Sequence, residues 1–265
     1  MNADIYLQAG PGLCGKDGMD GAGLLEKSPD GEDGREKGFI SRHYIPASPG
    51  QKGRDAGAAQ RGADGENGGA GQSCPSLLLE CKVFTLSRPL SIWAEGGSGG
   101  NGGSGGNGGR GGEGGDAGQQ LAKYIHTYEP VKGGNGGAGG QGGNGGAGGR
   151  GGNGGNVTVR FGTSTIPEPV SIHADGGKGG SGGSGGAGGS GGPGGFNGKE
   201  GGKTRRPGYR RCGLLLRKKH YFVKYRMTER AETGPRGGEG SSGNPASPGS
   251  PGAVIVEQIR KKGLI

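Results

Sequence analysis

Residues 96–115 read GGSGGNGGSGGNGGRGGEGG, two glycines and one other residue repeated without a slip. Almost the same pattern returns at 133–155 and 176–195, and glycine supplies 76 of 265 residues. With 27% hydrophobic and 5% aromatic residues, confined to short islands between the glycine runs, an ordinary globular core is excluded. Collagen needs one glycine in three with abundant proline, whereas here two of three positions are glycine and proline is only 15 of 265. A flexible linker needs no register. The register here is strict while the third residue varies among Ser, Asn, Arg, Glu, Asp, Ala, Gln and Lys, which points to a chain that repeats in space every three residues. A left-handed polyglycine II helix does so, with no internal hydrogen bonds, and must bond laterally to neighbours. Glycine is then required wherever a neighbouring backbone lies close.

The islands repeat as well. SLLLECKVFTLSRPLSIWAEGGSGG from Ser76 aligns without a gap on NVTVRFGTSTIPEPVSIHADGGKGG from Asn156, at an offset of 80. Each holds two strand candidates, 77–86 with 90–94 and 157–161 with 170–174, and the alternation Val157-Thr158-Val159-Arg160-Phe161 suits a half-buried strand. Segments 4–9 and 253–259 resemble the missing halves. The chain divides into three units, 1–82, 83–162 and 163–265, each running strand, glycine arm, tip, glycine arm, strand. The arms are 10–38, 49–72, 96–118, 133–155, 176–202 and 234–252; the tips are 39–48, 119–132 and 203–233. Arms 3 and 4 are each 23 residues, about 70 Å at the polyglycine II rise. The expected fold class is therefore mostly non-regular: about six antiparallel polyglycine II helices in a bundle, a small β-sheet at one end, and little or no α-helix. Arms 3, 4 and 5 are GGX and should lie inside. Arms 1, 2 and 6 are closer to GXX and should lie at the edges. Substitutions at third positions should be nearly neutral.

The net charge of +9 has one source. Segment 203–233 holds eleven Lys/Arg against Glu229 and Glu232, so the rest of the chain is balanced. Within it Arg205, Arg206, Arg210, Arg211, Arg217, Lys218, Lys219, Lys224 and Arg226, interleaved with Tyr221 and Tyr225, suit phosphate-rich or acidic polymers such as nucleic acid or acidic glycan. The bland alternative is a cap on the arms with solvated charges. The other tips, Phe39–Pro46 and Leu121–Tyr128, share the aromatic and histidine content. At the termini, Ile5, Leu7, Val254 and Val256 are candidates for strand pairing with another copy.

No catalytic pattern is present: there is no HExxH, GxSxG or Walker sequence, and GxGxxG occurs in GGX runs by chance. Cys14, Cys74, Cys81 and Cys212 have no metal spacing, and neither metal nor cofactor is expected. No segment approaches the ~20 apolar residues of a membrane span. MNADIYLQAGPG is no basic-then-apolar leader, so the location is open, and extracellular if a structural or adhesive role holds.

The GGXGGX register, with strands entering it, resembles the polyglycine II class, which includes springtail antifreeze proteins, phage tail-tip adhesins and mycobacterial PGRS domains. The class brings no catalytic residues. Its antifreeze members imply a flat, small, uncharged face, from which Arg110, Glu113, Arg150 and Lys178 depart. Its adhesin members imply recognition by loops at one end. The expected function is a non-enzymatic structural or adhesive rod, able to form filaments and presenting basic and aromatic tips. Binding of anionic polymers through 203–233 is the alternative, and an antifreeze role comes third.

Overall fold

The computed structural model describes residues 3–52, 60–125, 127–202, 224–226 and 229–259. Ten strands fall into four sheets: β1 (Ile5–Tyr6), β2 (Arg35–Lys37), β3 (His43–Ile45), β4 (Leu77–Phe84), β5 (Leu90–Trp93), β6 (Val157–Ser164), β7 (Val170–His173), β8 (Glu200–Gly202), β9 (Lys224–Arg226) and β10 (Val254–Gln258). This overturns the expected fold class, a six-helix polyglycine II bundle with one small sheet. Among the described residues there is no helix, and the sheets are both parallel and antiparallel. The physical reason lies in the islands and the tips. Each island strand pairs with its counterpart one repeat away, so two three-stranded parallel sheets arise. Two of the tips close on themselves as antiparallel pairs, β2–β3 and β8–β9.

The parallel sheets are ordered β1-β5-β7 and β10-β6-β4. Their registers reproduce the sequence offset: Leu77 lies opposite Val157 and Leu90 opposite Val170. The two sheets face each other over the main apolar core. Ile92, Ala94, Val157 and Val159 are fully buried in it, and Phe84 and Phe161 meet at 5.5 Å. On the outer face of the second sheet Arg160 bonds Glu80 and Glu257, both at 3.1 Å, across three registered strands. Cys74 and Cys81 are free thiols, and burial pushes both up in pKa.

Above this base the glycine arms bond to one another every third residue. One line of bonds crosses all six: Glu66 N–H donates to Lys16 O (2.9 Å), Gly103 to Glu66 (2.8 Å), Gly146 to Gly103 (2.8 Å), Gly183 to Gly146 (2.9 Å) and Gly243 to Gly183 (2.8 Å). A second set joins alternate arms: Gly15 donates to Asn101 and Gly102 to Ser181, while Gly65 donates to Asn144 and Gly145 to Ser241. Arms 1, 3 and 5 thus form one layer, continuing from β1, β5 and β7. Arms 2, 4 and 6 form the other, running the opposite way into β4, β6 and β10.

Glycine serves here by lacking a Cβ, not by its backbone freedom. Among the described glycines only Gly38 has φ in the left-handed region, at +106°. In a GGX arm, a Cβ on the second glycine would meet the arm two places earlier, and a Cβ on the first would meet the next arm. A Cβ on Gly103 would strike Lys16 O and one on Gly102 would strike Gly146 O, both well under 3.0 Å. The exceptions are few: Leu24 and Ser28 flank a one-residue insertion in arm 1, where the bonding step to arm 3 lengthens from three residues to four (Leu24 to Arg110, then Ser28 to Glu113). Ala117 stands beside the second tip. Ala246 is unexplained by the structure.

The third residue points out of the layers, yet its side chain is not idle. Asp20 Oδ1 accepts from Asn107 N (2.6 Å), and Asn107 Oδ1 accepts from Ala187 N (3.0 Å). In the other layer Asp64 Oδ1 accepts from Asn144 N (2.6 Å) and Asn144 Oδ1 from Ser241 N (3.0 Å). Third-position Asp and Asn therefore satisfy backbone donors that the glycine ladder leaves over, which corrects the expectation of neutrality there.

Candidate functional site

The tips of arms 1 and 2 and of arms 3 and 4 interlock at the end opposite the parallel sheets. β2 and β3 pair with Glu36 opposite Tyr44 and Lys37 opposite His43. Gly38 opens the connecting loop at a φ that a Cβ would strain. In the second tip the chain turns tightly: Tyr124 N donates to Leu121 O and Thr127 N to Tyr124 O, both at 2.8 Å.

Tyr44 joins the two. Its ring stacks on Tyr124 with centroids 4.0 Å apart and a 21° tilt, and lies 5.0 Å from Tyr128. Its hydroxyl donates to Gln120 Oε1 (2.5 Å) and accepts from Leu121 N (3.1 Å). Gln120 Oε1 also accepts from Ala47 N at 3.1 Å. Glu36 is the charged centre. It pairs with Lys123, accepts from Tyr124 Oη at 2.7 Å, and has Arg42 at 3.9 Å. Lys123 first, then the Tyr124 hydroxyl, hold the Glu36 carboxyl below its ordinary pKa. The same bonds raise Lys123 and Tyr124. The result is a rigid platform from two segments distant in sequence.

Beyond that platform project Phe39 and Ile40, 95% and 98% exposed. Lys37, Arg42 and His43, all exposed, flank them. At the third tip β8 and β9 pair with Glu200 opposite Arg226. Next to them the Arg230 guanidinium lies 4.1 Å over the Phe196 ring and 3.3 Å from Glu113.

Of the residues picked for anion binding, Arg205, Arg206, Arg210, Arg211, Arg217, Lys218, Lys219 and Tyr221 lie outside the described residues. Lys224, Tyr225 and Arg226 form β9, opposite Gly202, Gly201 and Glu200. At the base, Ile5 is registered with Ile92, Leu7 N donates to Trp93 O at 2.8 Å, and both side chains pack on the core. Val254 and Val256 lie on the edge strand β10 and are 48% and 45% exposed. The sequence showed that the first two tips share aromatic residues. It did not show that Tyr44 and Tyr124 stack, or that Phe39 and Ile40 are left outside; only the Gly38 turn immediately before them hints at it.

Among the described residues no group of three His, Cys, Asp or Glu is placed to hold a metal ion. Nor is any helix long and apolar enough to cross a membrane. The chain matches no family model and no curated protein. Among solved structures it matches a springtail antifreeze protein from Granisotoma rainieri, described as a nine polyproline type II helical bundle, at 24% identity over 73% of this chain and 98% of that one, with a TM-score of 0.10 that carries no argument.

Proposed function

We propose that this protein is a non-enzymatic structural or adhesive rod whose arms hold a recognition surface at one end. The observation that supports this reading most is the placement of Phe39 and Ile40. Large apolar side chains outside a framework fixed by the Tyr44–Tyr124 stack and the Glu36 cluster favour contact with a partner over a role in folding. The laterally bonded arms suit a spacer, since each cross-section is joined by backbone bonds that no side-chain rearrangement loosens. A second reading, binding of anionic polymers through 203–233, is favoured by the eleven cations concentrated there.

Negative-stain electron microscopy of the purified protein tests the first reading. Discrete rods of one length are expected. Regular filaments would instead give Ile5, Leu7, Val254 and Val256 an assembly role. Salt-sensitive retention on heparin, lost when Arg205, Arg206, Arg210 and Arg211 are neutralised, would favour the second.

A further inference from the structure

Resting on the tip-recognition reading, we infer that the β2–β3 apex is a finger that docks on an anionic lipid bilayer surface. Phe39 and Ile40 are the two most exposed large apolar residues among those described, at 95% and 98%, and they are adjacent at the loop apex. Their exposure is not a by-product of looseness. Gly38 at φ +106° sets the turn, and the hairpin below is locked by Tyr44 and Glu36. A rigid loop loses little further freedom when its apex enters a new phase.

The flanks choose the phase. Lys37 ends β2 and Arg42 immediately precedes β3, so the two flank the apex, and Lys123 lies on the adjoining tip beside Glu36. Glu36 is the carboxylate paired with two of these cations, Lys123 and Arg42, and it also accepts from the Tyr124 hydroxyl. An apolar point with a basic collar matches an interface whose outer layer is anionic and whose next layer is hydrocarbon. A soluble polyanion would meet the collar but gives nothing to Phe39 and Ile40. At the third tip, β9 adds Lys224 and Arg226 to the same end of the molecule, and with them further attraction by charge.

Flotation of the full chain with vesicles of phosphatidylcholine and phosphatidylserine, against phosphatidylcholine alone, tests the inference. The mixed vesicles should carry the protein at least tenfold more strongly. The double variant Phe39→Ser/Ile40→Ser should lose about tenfold of that binding with an unchanged melting temperature, because both side chains are already in water. Phe39→Trp supplies a direct readout: its emission should shift to the blue on adding mixed vesicles. The parent protein, whose Trp93 lies at the opposite end in β5, should show no shift. Failure of the parent to float, or equal flotation of the double variant, overturns the inference. Heparin retention distinguishes the two failures. If vesicles are ignored but retention falls with Lys37→Gln/Arg42→Gln, the lipid surface is wrong and tip recognition stands. If no tip substitution changes either binding, both are wrong.

Discussion

Arms 2 and 5 are equally surrounded, yet their sequences obey different rules. Arm 2 bonds to arms 1, 3 and 4, and arm 5 to arms 3, 4 and 6. Arm 2 nevertheless carries Ala63, Glu66 and Gln72 where arm 5 carries glycine. What counts is the direction of the missing Cβ. In arm 5 both glycine positions face a backbone: Gly183 faces Gly103 O, and Gly182 faces Gly243 O. In arm 2 a Cβ on Gly65 would strike Gly103 O well under 3.0 Å, but at Gly69, which holds the same register position as Glu66, a Cβ would come no nearer than 3.1 Å to another backbone atom, Leu13 N. The glycine count of an arm therefore reports which flanks are occupied, not how crowded the arm is.

The largest test of that difference is a single methyl. Gly183→Ala should destabilise the protein by about 3 kcal/mol, the upper part of the range for overpacking, because a backbone carbonyl blocks the new atom. Glu66→Ala, the corresponding site of arm 2, should cost about 0.5–1 kcal/mol at most, from loss of the long, exposed 3.4 Å bond that Lys16 N donates to its carboxylate. Thermal melts of the pair decide it, and equal losses would break the directional rule.

A second test concerns the outer edge. On arm 4, Gly148, Gly151 and Gly154 donate sideways to arm 6. The matching positions of arm 6 are Pro245, Pro248 and Pro251, which have no N–H to offer a further arm. Edges left with free donors invite pairing with other chains. Replacing all three prolines by glycine should cost about 2 kcal/mol through the freer unfolded chain. It should also produce concentration-dependent association in light scattering. A variant that remains monomeric would show that the prolines do not guard this edge.

Much of this was legible in the sequence. The offset of 80 residues became the register of β4 with β6 and β5 with β7. The split between GGX and GXX arms was visible too, but its expected meaning was not: arm 5, expected inside, and arm 2, expected at the edge, each bond to three neighbouring arms. The number and kind of sheets were not legible. Strand partners are chosen across repeats, and periodicity within Leu77–Phe84 cannot say whether its neighbour is Leu90 or Val157. The third-position ladder was missed for a similar reason: Asn144 meets its donor on Ser241, in another arm. Asn107→Ala and Asn144→Ala should each cost about 1 kcal/mol, the net worth of a typical hydrogen bond. Ser184→Ala should be nearly silent in the same melts. If all three are silent, the ladder contributes nothing to holding the arms.

The smallest expected effect separates arm 1 from the interior by pH. Third positions of arms 3 and 4 accept mostly through amides such as Asn101, Asn107 and Asn144, which do not titrate, with Asp116 an exception near the tips. The outermost arm relies on carboxylates. Asp30 is bound by Lys27 at 2.7 Å, and Asp4 is held by Arg88 at 2.5 Å, just before β1 enters its sheet. The Arg88 bonds first, then the Ser91 amide, lower the Asp4 pKa from 3.8 to about 2. A folded-state value below the unfolded one means that the contribution is complete above pH 3.8 and fades as pH falls toward 2. Asp4→Asn should therefore melt slightly below the parent at pH 6 and converge with it near pH 2. Hydrogen exchange at low pH should accelerate first at Asp4 and Leu7, whose amides bond to Ser91 and Trp93, while Gly103 and Gly146 stay protected. Uniform acceleration across all six arms would show that the edge and the interior respond to acid as one unit.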